Sequence, residues 1–483
     1  MNNIYIVPMT ILSLIKSRAP ATGQKYSQLE SLFRQAIREG TLQPGEKLPP
    51  LRDAAWQAGC SLGTMSRVYA ALERRGMVTA EVGRGTFVRE EASIGADIIL
   101  PRPSSSRKSD SNLADIGVID LAMNAITNEE GEDLLRWALR RTADKASSLT
   151  LMTYRDGYGT AAQKLAMRAF LPACLQQVGE ERLLINHGAQ NGIFTALNRL
   201  TSPGDTICLE PLCYPGVSAA LSQAGLSSVI VECDDRGIDP VDFERLCQAG
   251  RLRLLVTTPT GHNPTCITTP LERRLQIGEI AKKYDVLVIE DDIYGFLYPD
   301  APPPYAALFP DNAIYLTGLA KRLTPSLRIG VSVASPQITM LMAQGITAQS
   351  WMVSPVLAVA ASELALRHDS LQKMIDASLV QADEREKLTR AELADKVVSL
   401  KFCRSHAWLK LPDSCNVDLF VKQAELAGVL VTSGQRFSSR TGSGNQHIRL
   451  SIMAPRKTET LVIALSKLGA ILTTPTLNSV EYF

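Results

Sequence analysis

Between residues 183 and 333, short apolar runs alternate with stretches of helical periodicity, and that alternation admits few folds. The runs are Leu183 to Ile185, Thr206 to Leu209, Val229 to Val231, Leu252 to Thr257, Val286 to Ile289, Ile314 to Leu316 and Ile329 to Val333. Each has the length of a buried strand, and strands that alternate with helices build βα units around a mostly parallel sheet. An α/β fold follows. In such sheets ligands gather outside the carboxyl ends of the strands. The residues expected there are His187-Gly188-Ala189-Gln190, Glu210-Pro211 with Tyr214, His262-Asn263-Pro264, Glu290-Asp291-Asp292 and Lys321. Five strand ends thus bring a lysine, an acid, an amide, an aromatic ring and a glycine-led helix start to one place.

Lys321 sits in Thr317-Gly-Leu-Ala-Lys321, a small-residue loop after an apolar run, and Arg328 follows seven residues on. A lysine buried at a strand end loses solvation, its pKa falls, and its amine becomes a nucleophile. Taken singly, each of these residues has a plainer role. Lys321 and the arginines suit a solvated surface, Asp291 and Asp292 a helix cap, Asn263-Pro264 an ordinary turn, and Tyr214 the core. Their order along the strands favours a site.

At 483 residues the chain exceeds one core, and 45% hydrophobic with 21% charged residues describes a folded protein. A net charge of +2 means that a nucleic-acid partner must be met by a local patch. Nine scattered cysteines without a CxxC pair, and five histidines without a metal-binding spacing, indicate a reduced cytoplasmic chain with no metal site. Residues 1–22 read as an N-terminal extension; its apolar start lacks a basic region, carries Pro8 and is too short to span a membrane.

Residues 23–90 read as a separate module. Leu29, Leu32, Phe33, Ala36 and Ile37 recur at helical spacing, Pro49 and Pro50 open a second short helix, and Ser61 suits the N-cap of a third. A hairpin turning at Gly83-Arg84-Gly85 completes a winged helix-turn-helix. Ten basic residues against seven acidic ones give this module about +3, with Arg52, Arg67, Arg74, Arg75 and Arg84 placed where phosphates would be met. Residues 91–117, rich in serine and proline, read as a flexible linker, and 118–483 as the second domain.

The first module resembles the GntR-type regulators through Leu48-Pro49-x-x-Arg52, Gly59-Cys60-Ser61, Thr64-Met65, Tyr69-x-x-Leu72-Glu73-x-x-Gly76 and Gly83-Arg84-Gly85-Thr86-Phe87. That resemblance implies double-stranded operator DNA as partner, contacted by Arg52, Ser61, Thr64, Arg67 and Arg84. One departure is Leu62, where the family has an arginine.

The segment from 118 onward resembles fold-type I aminotransferases, which use pyridoxal 5'-phosphate and carry a smaller C-terminal α+β subdomain. The whole chain is similar to MocR-type regulators. On that resemblance Lys321 would form the internal aldimine and Asp291 would hold the pyridine nitrogen protonated. Asn263 and Tyr294 would bond the phenolic oxygen, and Tyr214 would stack on the ring. Gly188, Ala189, Gln190 and Arg328 would bind the phosphate. Tyr154 would reach the phosphate of a neighbouring subunit, which implies a homodimer, and Arg449 would take an effector carboxylate. Two departures stand out: Gly318 replaces a serine, with Thr317 beside it as a candidate substitute, and Cys266 replaces a glycine. The function implied is a transcription regulator that senses a small amine or amino acid through aldimine formation. The alternative is an active aminotransferase with a DNA-binding appendage.

Overall fold

The computed structural model describes residues 25–38, 41–43, 45–74, 77–81, 84–88, 117–127, 129–154, 157–250, 252–440 and 442–474. The N-terminal extension, nearly all of the expected linker and the side chains of Arg74 and Arg75 lie outside them. The chain divides into two compact units, Met1–Ser104 and Ser105–Phe483.

In the first unit, helix α1 (Lys25–Arg38) buries the five apolar residues that its periodicity selects. Burying a side chain such as Phe33 or Leu29 contributes about 1.5 to 3 kcal/mol. Helix α2 (Leu51–Gln57) starts after Pro50. The chain turns through Gly59, whose φ of 59° is costly for any residue with a Cβ. Helix α3 (Leu62–Arg74) begins where the Ser61 hydroxyl accepts the Thr64 amide at 3.1 Å, the expected N-cap. The Phe33 and Tyr69 rings meet edge-on at 5.5 Å, and the Tyr69 hydroxyl donates to the Pro49 carbonyl at 2.8 Å, fixing α3 against the entry to α2. Strands β1 (Val78–Glu81) and β2 (Gly85–Val88) form the wing. The segment before α2 joins it, with Val88 N donating to Glu46 O and Leu48 N to Thr86 O.

In the second unit, all seven apolar runs become strands of one sheet: β3 (Leu183–Asn186), β4 (Thr206–Leu209), β5 (Ser227–Ile230), β6 (Leu252–Thr257), β7 (Leu287–Asp291), β8 (Ala313–Gly318) and β9 (Gly330–Val333). The spatial order is β3-β9-β8-β7-β6-β4-β5. Only β9 runs against the others, pairing antiparallel with both β8 and β3. Strands β3, β8 and β9 are buried on both faces, which is why they read as continuous apolar runs instead of alternating ones, while the edge strand β5 is exposed at Ser227 and Ser228.

The long helix His368–Leu393 leads to a smaller subdomain with its own core. Its antiparallel sheet has the order β10 (Ser399–Cys403), β11 (His406–Lys410), β13 (His447–Leu450), β12 (Thr432–Ser433). Residues Ile119–Asp120 pair in parallel with Val429–Leu430, so the start of this unit is built into the smaller subdomain. Among the described residues no helix is long and apolar enough to cross a membrane.

Candidate cofactor and effector site

Lys321 lies on the short helix Leu319–Arg322 that leaves β8. Its part-buried amine donates to the carbonyl of Asn124. Burial, then the cations Arg449 and Arg328, pull its pKa down to about 8, against the opposing pull of Asp291. The lysine expected at a strand end thus stands just past β8 with its amine part-buried.

Asp291 is the last residue of β7 and is buried; its Oδ1 has no hydrogen-bond partner among the described residues. Burial, and then the charge of Asp292, push its pKa up to about 7, while the Ile293 amide and Lys321 work against that rise. An orphaned buried carboxylate is costly unless something meets it. Asp292 has a different duty: its Oδ2 accepts from the Tyr315 hydroxyl at 2.8 Å. Thr317 donates to the Asp292 carbonyl at 3.0 Å and is buried in β8. Its hydroxyl is thus spent on the neighbouring strand, which corrects the expectation that it replaces the missing serine.

Asn263 and Tyr294 are both buried. Asn263 Oδ1 accepts from Arg449 at 3.1 Å, and the Tyr294 hydroxyl accepts from Asn124 Nδ2 at 2.7 Å. Arg449, on β13, also donates to the Ala122 carbonyl and lies 5.1 Å from the centre of the Phe437 ring. These acceptors are neutral and its Nε has none among the described residues, so a buried guanidinium stands with a donor to spare. Tyr214 caps the start of the helix Pro215–Ala224 and donates to Gln190 Oε1 at 3.0 Å.

Gly188 precedes helix α4 (Ala189–Leu200), whose first amides carry no side-chain cap. Its φ of 86° favours glycine, and a Cβ there would stand 3.0 Å from the Arg328 guanidinium. A Cβ on Gly330 would lie 2.6 Å from the Gly188 carbonyl carbon, so β9 and the α4 start approach backbone to backbone. Arg328 itself has a φ of 47° and donates to the His187 carbonyl at 3.3 Å. Uncapped amides and an arginine at a helix N-terminus form an anion cradle. Tyr154 is 76% exposed, with its ring 5.5 Å from that of Trp351.

Sequence reasoning missed Asn124, whose carbonyl receives Lys321 and whose amide holds Tyr294. No motif marks it; it is placed by Asp120 Oδ1, which accepts the Ala122 and Met123 amides, and by the backbone bond from Ser451 to Leu121. Nor did any sequence spacing reveal that Cys266, Cys403 and His406 come together. Cys266 has a φ of 64°, which explains why a glycine is usual at its position.

In the first unit Arg52, Ser61, Arg67 and Arg84 are exposed and Thr64 is half-buried. The Ser61 and Thr64 hydroxyls lie 2.8 Å apart and bond each other. Leu62 is exposed at the first position of α3.

Residues 116–468 match the model of aminotransferase class I and II. The chain belongs to the aminotransferase class I and II family. Residues 25–88 match the model of the bacterial regulatory proteins of the gntR family, and the two together make the MocR-type architecture. This aminotransferase-family chain is 27% identical to the uncharacterized HTH-type transcriptional regulator YdeF of Bacillus subtilis, over 92% of its own length and 94% of that protein. It is 26% identical to the HTH-type transcriptional regulator TauR of Rhodobacter capsulatus, covering 86% and 90%. With the vitamin B6 salvage pathway transcriptional repressor PtsJ of Salmonella typhimurium it shares 24% over 91% and 97%. The fold is that of LysN, the α-aminoadipate aminotransferase of Thermus thermophilus, with a TM-score of 0.66 at 22% identity over 75% of this chain and 95% of that one.

Proposed function

We propose that this protein is a transcription regulator that binds operator DNA through its winged helix and pyridoxal 5'-phosphate through its aminotransferase-family domain, where it senses a small amine or amino acid. The observation that carries the reading is the unmet Oδ1 of buried Asp291 in the same site as the part-buried amine of Lys321. Pyridoxal phosphate needs an acid for its ring nitrogen, an amine for its aldehyde and an anion cradle for its phosphate, and each is present. When bound, it supplies an aldehyde that primary amines can attack and a ring that withdraws electrons.

The chain's own residues do the rest. Asp291 would hold a proton at the ring nitrogen, the charge pair answering its unmet Oδ1. Asn263 and Tyr294, already in bonds to Arg449 and Asn124, would orient the phenolic edge. The α4 amides and Arg328 would bind the phosphate. Tyr214 would cover a ring face. Arg449 would exchange its neutral acceptors for an effector carboxylate, a stronger charge-assisted pair. Tyr154, exposed beside Trp351, is free in this chain to serve a neighbouring subunit, which supports a homodimer. Exposed Arg52, Arg67 and Arg84 would meet DNA phosphates or bases, and a cytoplasmic location suits that partner.

The intact set of Lys321, Asp291, Asn263, Tyr294 and Arg449 also favours a second reading, an active aminotransferase with a DNA-binding appendage. Steady-state transamination across an amino-acid panel separates the two. Turnover with no effect of any substrate on DNA binding would support the enzyme, and effector-dependent DNA binding without turnover the regulator.

A further inference from the structure

The hairpin between β10 and β11 turns through Cys403-Arg404-Ser405-His406 and sets a thiol and an imidazole against the loop that follows Asn263. There the ligand atoms of Cys266, Cys403 and His406 all lie within 4.8 Å of one another. Cys403 and His406 are buried, and both Cys266 and Cys403 are free thiols.

The orientation of the imidazole is specific. Its Nε2 lies 3.1 Å from the Pro264 carbonyl, which can only accept, so the ring proton belongs on Nε2. Nδ1 then presents its lone pair to Cys403 Sγ and Ser405 Oγ, each at 2.9 Å. A ring whose second nitrogen is pinned to a backbone carbonyl is how proteins hold an imidazole that ligates a metal. The Cys266 thiol is paired with the Cys403 thiol and otherwise meets only distant acceptors among the described residues, the carbonyls of Pro264 at 3.6 Å and of Lys401 and His406 at 3.7 Å. Yet its backbone is held at a φ of 64°, a conformation that disfavours any side chain.

We propose that Cys266, Cys403 and His406 bind one thiophilic cation, Zn2+ or Cu+, which clamps the loop of the large subdomain to the hairpin of the small one. Two sulfurs and a nitrogen are the donors such ions select, and the absence of a carboxylate from the set disfavours Mg2+ and Ca2+. With bonds of about 2.3 Å to sulfur and about 2.0 Å to nitrogen, tetrahedral ligand atoms stand roughly 3.5 to 4 Å apart, a spacing this cluster reaches with small side-chain shifts. Both cysteines bind as thiolates and release their protons to solvent, so affinity falls as pH is lowered. The clamp lies one residue behind the proposed cofactor: His406 Nδ1 is 3.4 Å from Asn124 Nδ2, and the Asn124 carbonyl receives Lys321. A metal on Nδ1 takes that lone pair from Asn124 and leaves its amide to Tyr294.

The test uses untagged full-length protein, stripped of metal and then titrated with Zn2+ and with Cu+ against a chromophoric chelator. The expected result is one ion per chain, lost in Cys403→Ser and His406→Ala and kept in Cys174→Ser, which alters an exposed cysteine outside the cluster. Alkylation followed by peptide mass spectrometry provides a readout on the unaltered chain. The cation should protect Cys266 and Cys403, and chelation should expose them. Binding no greater than in Cys403→Ser, no protection of the two thiols in wild type, or a Cys266–Cys403 disulfide in freshly purified protein would each overturn the proposal.

Discussion

Asp291 and Asp292 are neighbours in sequence with opposite tasks, because successive strand residues face opposite sides of a sheet. Both keep Oδ1 unmet among the described residues, but Asp292 accepts from Tyr315 at its Oδ2, whereas Asp291 acts on Lys321. Asp291→Asn is therefore expected to weaken pyridoxal phosphate binding by about 10- to 100-fold, the worth of a hydrogen bond to a charged group, in absorbance titrations of the cofactor-free protein. Asp292→Asn should lower the melting temperature instead and leave that affinity nearly unchanged. Lys321→Ala should remove the covalent attachment fixed by borohydride and keep the circular dichroism of the wild type. The neutral amine of Lys321 grows as pH rises through its value of about 8, so covalent capture of the cofactor by the stripped protein should speed up through that range. Arg449→Met removes a cation that opposes protonation and should move the midpoint upward. A midpoint near an ordinary lysine's in the wild type would remove the desolvated amine from the account.

At the scale of elements, the central strands of the large sheet were legible because burial on both faces makes each an apolar run, and the exposed edge strand Ser227–Ile230 was legible only from its last two residues. The helices of the winged module were legible from the periodicity of Leu29, Leu32, Phe33, Ala36 and Ile37 and from the Ser61 cap. Ser61→Ala should cost about 1 kcal/mol of stability in that module, measured by denaturant unfolding. Arg52→Ala and Arg67→Ala should each weaken operator binding, by about 1 to 3 kcal/mol for a bidentate base contact, or with a salt slope flatter by about one unit for a phosphate contact. Gel-shift titrations at several salt concentrations distinguish these, and unchanged binding removes the residue from the interface. What was not legible is what the fold joins from afar. Asn124 meets Lys321 across 197 residues and His406 across 282, and no local pattern encodes such a meeting. The candidacy of Thr317 fails for a related reason: sequence shows a hydroxyl beside the lysine but not the Asp292 carbonyl that accepts its hydrogen bond.

For the whole molecule, sensing requires that the effector bind two states of the protein with different affinity, and the coupling must run both ways. An effector held by Arg449 and by the cofactor at Lys321 engages both subdomains at once, since Arg449 belongs to β13 and Lys321 follows β8. Operator DNA must then change effector affinity by the same factor by which effector changes DNA affinity. The most direct measurement is an absorbance titration of cofactor-loaded protein with a panel of amines and amino acids. It would be repeated in the presence of a duplex that the protein itself selects from a random pool. The account predicts at least one ligand whose affinity differs with and without that duplex, a difference lost in Arg449→Ala while cofactor and DNA binding persist. Equal affinities for every ligand that perturbs the cofactor spectrum would contradict it.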